Sequence, residues 1–95
     1  MKTYEILVSG HVQRVGFRAC IKKVAINLGI AGETMNLADG RVRVIATAEP
    51  VILEKFISML YGCNRVVIRD LQVFDHGFTD FKEFSIVRQA LKKLR

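Results

Sequence analysis

The residues Gly10-His11-Val12-Gln13-Arg14-Val15-Gly16-Phe17-Arg18 lie between an alternating apolar run and a run of helical period. A chain that leaves a strand and opens a helix aims several unpaired backbone N–H groups at one point, where they can hold a phosphate-sized anion. Arg18 falls in the first turn of that helix, and a planar guanidinium there can close the same site with paired hydrogen bonds. The stretch is not a Walker loop, which needs Gly-Lys-Ser or Gly-Lys-Thr, nor a dinucleotide fingerprint, which needs three spaced glycines. Glycines at this spacing are ordinary in strand-to-helix connections, and a first-turn arginine commonly faces solvent. Taken alone, the loop is more often an ordinary connection than an anion site, and further residues are needed to decide.

The elements around the loop follow from hydrophobic period. Residues 3–9 alternate, with Tyr4, Ile6 and Val8 on one face, and read as a strand. Phe17, Ile21, Val24 and Leu28 recur at three- and four-residue intervals, giving a helix that ends near Gly29. Residues 30–37 and 41–47 form two strands joined through Asp39-Gly40, a pair that favours a tight hairpin. Pro50 suits the first turn of a second helix, whose Leu53, Phe56, Ile57 and Leu60 face the core before Gly62. Strands over 65–75 and 81–88 complete the order. With right-handed crossovers this predicts an α+β, ferredoxin-like βαββαβ sandwich with a short added strand: an antiparallel sheet carrying two helices on one face.

Composition bounds the functions such a domain can have. Ninety-five residues, 51% of them hydrophobic, suffice for one core, so a single domain over 1–95 is expected, with its core over about 3–88 and a basic tail at 89–95. No apolar run approaches the ~20 residues that cross a bilayer, and charged residues come too early for a signal peptide. No membrane association is expected, and a cytoplasmic location is. The net charge of +6 owes much to Arg88, Lys92, Lys93 and Arg95, and is as consistent with a solvated chain end as with a phosphate-polymer grip. Cys20 and Cys63 have no CxxC spacing or histidine cluster to suggest a metal, and read as buried inert thiols, with a disulfide left open. His11 and His76 read as surface residues, and Arg41 and Arg43 as a solvated strand face able to attract anions. Asn36, read alone, is a turn-former ahead of Asp39-Gly40.

Val12-Gln13, Val15-Gly16-Phe17-Arg18, Gly32, Asn36, Asp39-Gly40-Arg41-Val42 and Phe84-Ser85-Ile86 together resemble the acylphosphatase family, in order and spacing over residues 3–88. The family's core is the same βαββαβ sandwich. The resemblance implies a hydrolase that cleaves acyl phosphates to a carboxylate and inorganic phosphate. It implies that Gln13, Arg14, Val15, Gly16 and Phe17 form the phosphate cradle with their backbone N–H groups, that Arg18 binds the phosphate, and that Asn36 positions the attacking water. Position 14, usually glycine in the family, is arginine here; a positive φ at that position would cost about 1 kcal/mol. Glu33 and Met35 stand where the family has an aromatic and a basic residue.

A carboxylic-phosphoric anhydride is already activated by its weakly basic leaving group, so a site lacking a nucleophile can work by orienting water and stabilising charge. No metal or cofactor is expected, the partner is a small-molecule acyl phosphate, and a monomer is expected. The alternative is a catalytically weak phosphate-binding, regulatory or nucleic-acid-binding module on the same fold. Against nucleic acid stands the absence of the aromatic signature of an RNA-recognition strand.

Overall fold

The computed structural model describes residues 1–88. The elements run β1 (Lys2–His11), α1 (Phe17–Leu28), β2 (Ala31–Asn36), β3 (Val42–Ala48), α2 (Pro50–Leu60), β4 (Val67–Asp75) and β5 (Phe84–Ile86). Both helices fall where the periodicity puts them. Gly29 ends α1 in a left-handed conformation, its N–H reaching back to Ala25 and Ile26. Pro50 opens α2, where its missing N–H leaves nothing unpaired.

One five-stranded sheet has the order β4-β1-β3-β2-β5. Pairing is antiparallel from β4 through β2, as expected, and parallel between β2 and β5. The parallel edge corrects the expectation of a wholly antiparallel sheet. With β4 occupying the edge beside β1, the last strand has only the edge beside β2 left to it. Residues 76–83 therefore cross the lower end of the sheet, and β5 comes up beside β2 in the same direction. That crossing is anchored on Thr3, whose C=O accepts from His76 N–H at 2.8 Å and whose N–H donates to Gly77 O at 2.8 Å.

The helices cover one sheet face. Ile6, Val8, Val42, Val44 and Ala46 from the strands meet Phe17, Ile21 and Ala25 from α1 and Leu53, Phe56 and Leu60 from α2. Burying each large apolar side chain contributes roughly 1.5–3 kcal/mol. Gly10 marks a bulge between β1 and β4: at φ 134°, a Cβ there would drive into the Val67 carbonyl.

The two helices also bring Cys20 and Cys63 together as a disulfide, with Cα atoms 6.2 Å apart. This corrects the reading of two inert thiols. Helix period places Cys20 on α1 and Cys63 just after α2; the side-by-side packing of the two helices is what sets the distance between them.

Candidate functional site

The upper ends of β1, β2 and β5 and the first turn of α1 surround a cavity of about 290 Å³ lined by Val12, Arg14, Gly16, Phe17, Arg18, Ala19, Asn36, Ile86 and Arg88. Val12 and Phe17 are buried and form its floor. Gly16 stands at the N-cap of α1 with φ 78°, so no side chain caps the helix, and no acidic residue occupies its first turn. The first-turn N–H groups and the positive end of the helix dipole are thus left for an external anion.

Of the residues singled out from sequence, Arg14, Gly16, Phe17, Arg18 and Asn36 line this one cavity. Gln13 and Val15 do not. The Gln13 amide turns away to donate to Leu37 O at 2.8 Å and Arg41 O at 2.9 Å, tying the loop to the β2–β3 connection. Val15 packs against the core. Arg14 has φ 64°, the left-handed conformation that its usual glycine counterpart would hold without strain.

Asn36 is brought to the cavity by strand alternation. On β2, Gly32, Thr34 and Asn36 share the helix-covered face, paired with Ala46, Val44 and Val42, whereas Glu33 and Met35 belong to the opposite face. The two departures from the family pattern at 33 and 35 therefore fall on the side of the sheet away from the cavity. Asn36 Oδ1 is buried and, among the described residues, is the side-chain polar atom left without a hydrogen-bond partner.

Arg43 on β3 and Arg41 just before it are committed elsewhere. Arg43 Nε meets Glu5 Oε2 at 2.6 Å, and Arg41 Nε meets Asp39 Oδ2 at 2.8 Å. The Arg41 backbone N–H, and then its guanidinium, hold the Asp39 carboxyl below the ordinary range. These two cations are neutralised locally instead of forming an open anion-attracting face. His11 and His76 are exposed, in keeping with the surface reading.

Ile86 and Arg88 were not identified as site residues from sequence, Arg88 having been grouped with the basic chain end. The missed signal is strand parity: Phe84 pairs with Gly32 and Ile86 with Thr34, and Arg88, two residues beyond the end of β5, lines the same cavity as Asn36, two residues beyond Thr34. Lys92, Lys93 and Arg95 lie outside the described residues.

Known proteins match both the sequence and this geometry. The acylphosphatase family model matches residues 4–86. An acylphosphatase of Archaeoglobus fulgidus is 39% identical over 87 residues, spanning 90% of this chain and 98% of the relative. One of Ligilactobacillus salivarius is 45% identical over 88 residues, with the same shares of the two chains. The crystal structure of acylphosphatase from Bacillus subtilis superposes with a TM-score of 0.87 at 31% identity, covering 92% of this chain and 99% of that one. The chain belongs to the acylphosphatase family, enzymes that hydrolyse acyl phosphates.

Proposed function

We propose that the N–H groups of the Gln13–Arg18 loop and the Arg18 guanidinium hold the phosphoryl group of an acyl phosphate, while Asn36 orients the water that attacks it. The observation carrying this reading is the buried, unpartnered Asn36 Oδ1 on the wall of the cavity that Arg18 also lines. An unmatched buried acceptor costs about 1–3 kcal/mol, so its retention beside an anion site is accounted for by a partner that arrives with the substrate.

In the proposed reaction, the water oxygen bonds to phosphorus as the bond from phosphorus to the bridging oxygen breaks. The bridging oxygen leaves as the carboxylate. The water's proton passes to a phosphoryl oxygen, since a neutral amide is no base. Arg18 and the loop stabilise charge on the non-bridging oxygens, an effect of preorganised donors that needs no nucleophilic side chain or metal. Gln13 is a positioning residue, fixing the loop on the β2–β3 connection. The proposal includes a single domain, a monomer and a cytoplasmic location. A Cys20–Cys63 bridge is uncommon in cytosolic proteins outside hyperthermophiles, and trapping thiols at the moment of cell lysis tests that part.

The test is phosphate release from benzoyl phosphate in the presence of a chelator, by the wild type and by Arg18→Ala and Asn36→Ala, each checked for folding by circular dichroism. Turnover by the wild type and a loss of about 100-fold or more in each folded variant is expected. Phosphate binding without release above the spontaneous rate would sink the hydrolytic roles and favour a binding module.

A further inference from the structure

The charge lining the cavity exceeds what one phosphoryl group calls for. Arg14, Arg18 and Arg88 all contribute to the lining and no carboxylate does. Among the described residues, none of the three takes part in an ion pair, whereas Arg41 and Arg43 each have an acidic partner. Loop N–H groups and one guanidinium suffice for the two negative charges of a phosphoryl group.

The surplus cations also occupy a different level. Arg18 is half-buried, while Arg14 and Arg88 are exposed at the rim. They arrive from separate segments, Arg14 on the loop leaving β1 and Arg88 on the chain leaving β5. Phe17 in the floor and the more exposed Ile86 supply the cavity's apolar surface. A cavity of 290 Å³ is about ten times the ~30 Å³ share of a liquid water, which leaves room beyond the phosphoryl group.

We propose that Arg88, together with Arg14, makes this site selective for acyl phosphates whose acyl group carries a second negative charge, a carboxylate in the simplest case. The proposal rests on the phosphoryl group being held by Arg18 and the loop. The phosphoryl group is anchored below, a few methylenes lie against Phe17 and Ile86, and the distal carboxylate meets the rim guanidiniums. Arg88 is then a specificity residue, set in place by the pairing of β5 with β2.

The test separates binding from turnover. Calorimetric titration compares 4-phosphonobutyrate with butylphosphonate, whose carbon–phosphorus bonds resist hydrolysis, and rates are measured in parallel on succinyl phosphate and butyryl phosphate. The wild type is expected to favour the carboxylate-bearing member of each pair by about fivefold at low salt, the scale of a partly exposed ion pair. Arg88→Ala should lower both ratios and the Arg14→Ala/Arg88→Ala double variant bring them near one, Arg88→Lys should restore part of the preference, and Arg69→Ala, an equal charge change on β4, should leave it unaltered. No preference in the wild type, or equal weakening of both members by Arg88→Ala, would overturn the proposal. Preferential phosphonate binding with no phosphate release from either acyl phosphate would instead defeat the hydrolytic reading and uphold the charge selectivity.

Discussion

The two ends of the sheet treat buried polar groups in opposite ways. At the lower end, the Thr3 and Thr47 hydroxyls lie 2.6 Å apart, the Thr79 N–H donates to Thr3 Oγ1 at 2.8 Å, and Thr47 Oγ1 donates to Thr79 O at 3.0 Å. This closed network fastens the crossing from β4 to β5. At the upper end, Asn36 Oδ1 is unpartnered, Arg14 sits in a left-handed conformation, and three arginines line one cavity. The lower end uses its polar groups to hold the fold. The upper end keeps its polar groups open and is held by other means: the Gln13 amide on the Leu37 and Arg41 carbonyls and the Cys20–Cys63 bridge, whose Cys20 lies two residues beyond Arg18. A fold that satisfies its hydroxyls at one end and leaves donors and acceptors open at the other has its binding chemistry at the open end.

The bridge gives the largest expected effect. It closes a loop of 43 residues, so removing it in Cys20→Ala/Cys63→Ala should lower stability by about 4 kcal/mol on the chain-entropy model. Urea unfolding with and without reductant reads this directly. If the upper end depends on the bridge, the loss of phosphate affinity should appear at denaturant concentrations below the global transition. Coincident loss would show that the bridge supports the whole domain and not its open end in particular.

A pair of substitutions of intermediate size sets the two ends against each other. Thr47→Val removes the donor to Thr79 O and the acceptor of the Thr3 hydroxyl, and should cost about 1–2 kcal/mol of stability with little effect on kcat. Asn36→Leu removes the unpartnered acceptor, and should leave stability unchanged or raised while cutting kcat about 100-fold. Equal destabilisation by the two would mean that Asn36 belongs to the fold in the same way as the threonines, and the contrast between the ends would fail.

What could be read in advance divides along the same physical line. The helices Phe17–Leu28 and Pro50–Leu60 were legible because period, a terminal glycine and an N-terminal proline are all local. That Arg14, Gly16, Phe17 and Arg18 share one cavity was legible because they are nearly contiguous, whereas Asn36, a turn-former when read alone, was joined to them through the family resemblance. The parallel edge, the disulfide and Arg88 were not legible. The first depends on which sheet edge remains free, the second on how far apart two helices pack, and the third on the register of β5 against β2. Each is a relation between segments far apart in sequence, and hydrophobic patterning along one segment carries no information about it.

Arg14 offers the smallest and most discriminating test, because sequence and structure meet at its backbone. A side chain at φ 64° brings Cβ against the following carbonyl oxygen, and glycine has no such contact. Glycine also raises the entropy of the unfolded chain, which opposes the gain. Arg14→Gly should therefore stabilise the protein by only about 0.5–1 kcal/mol net, seen as a higher urea midpoint at unchanged slope. The same variant removes one rim cation, so its preference for a carboxylate-bearing phosphonate should fall. A gain in stability with a loss of selectivity would show strain kept for the sake of charge at the open end. A fall in both would mean that the arginine side chain makes contacts that outweigh its backbone strain, so that the upper end, like the lower, is arranged for stability at this position.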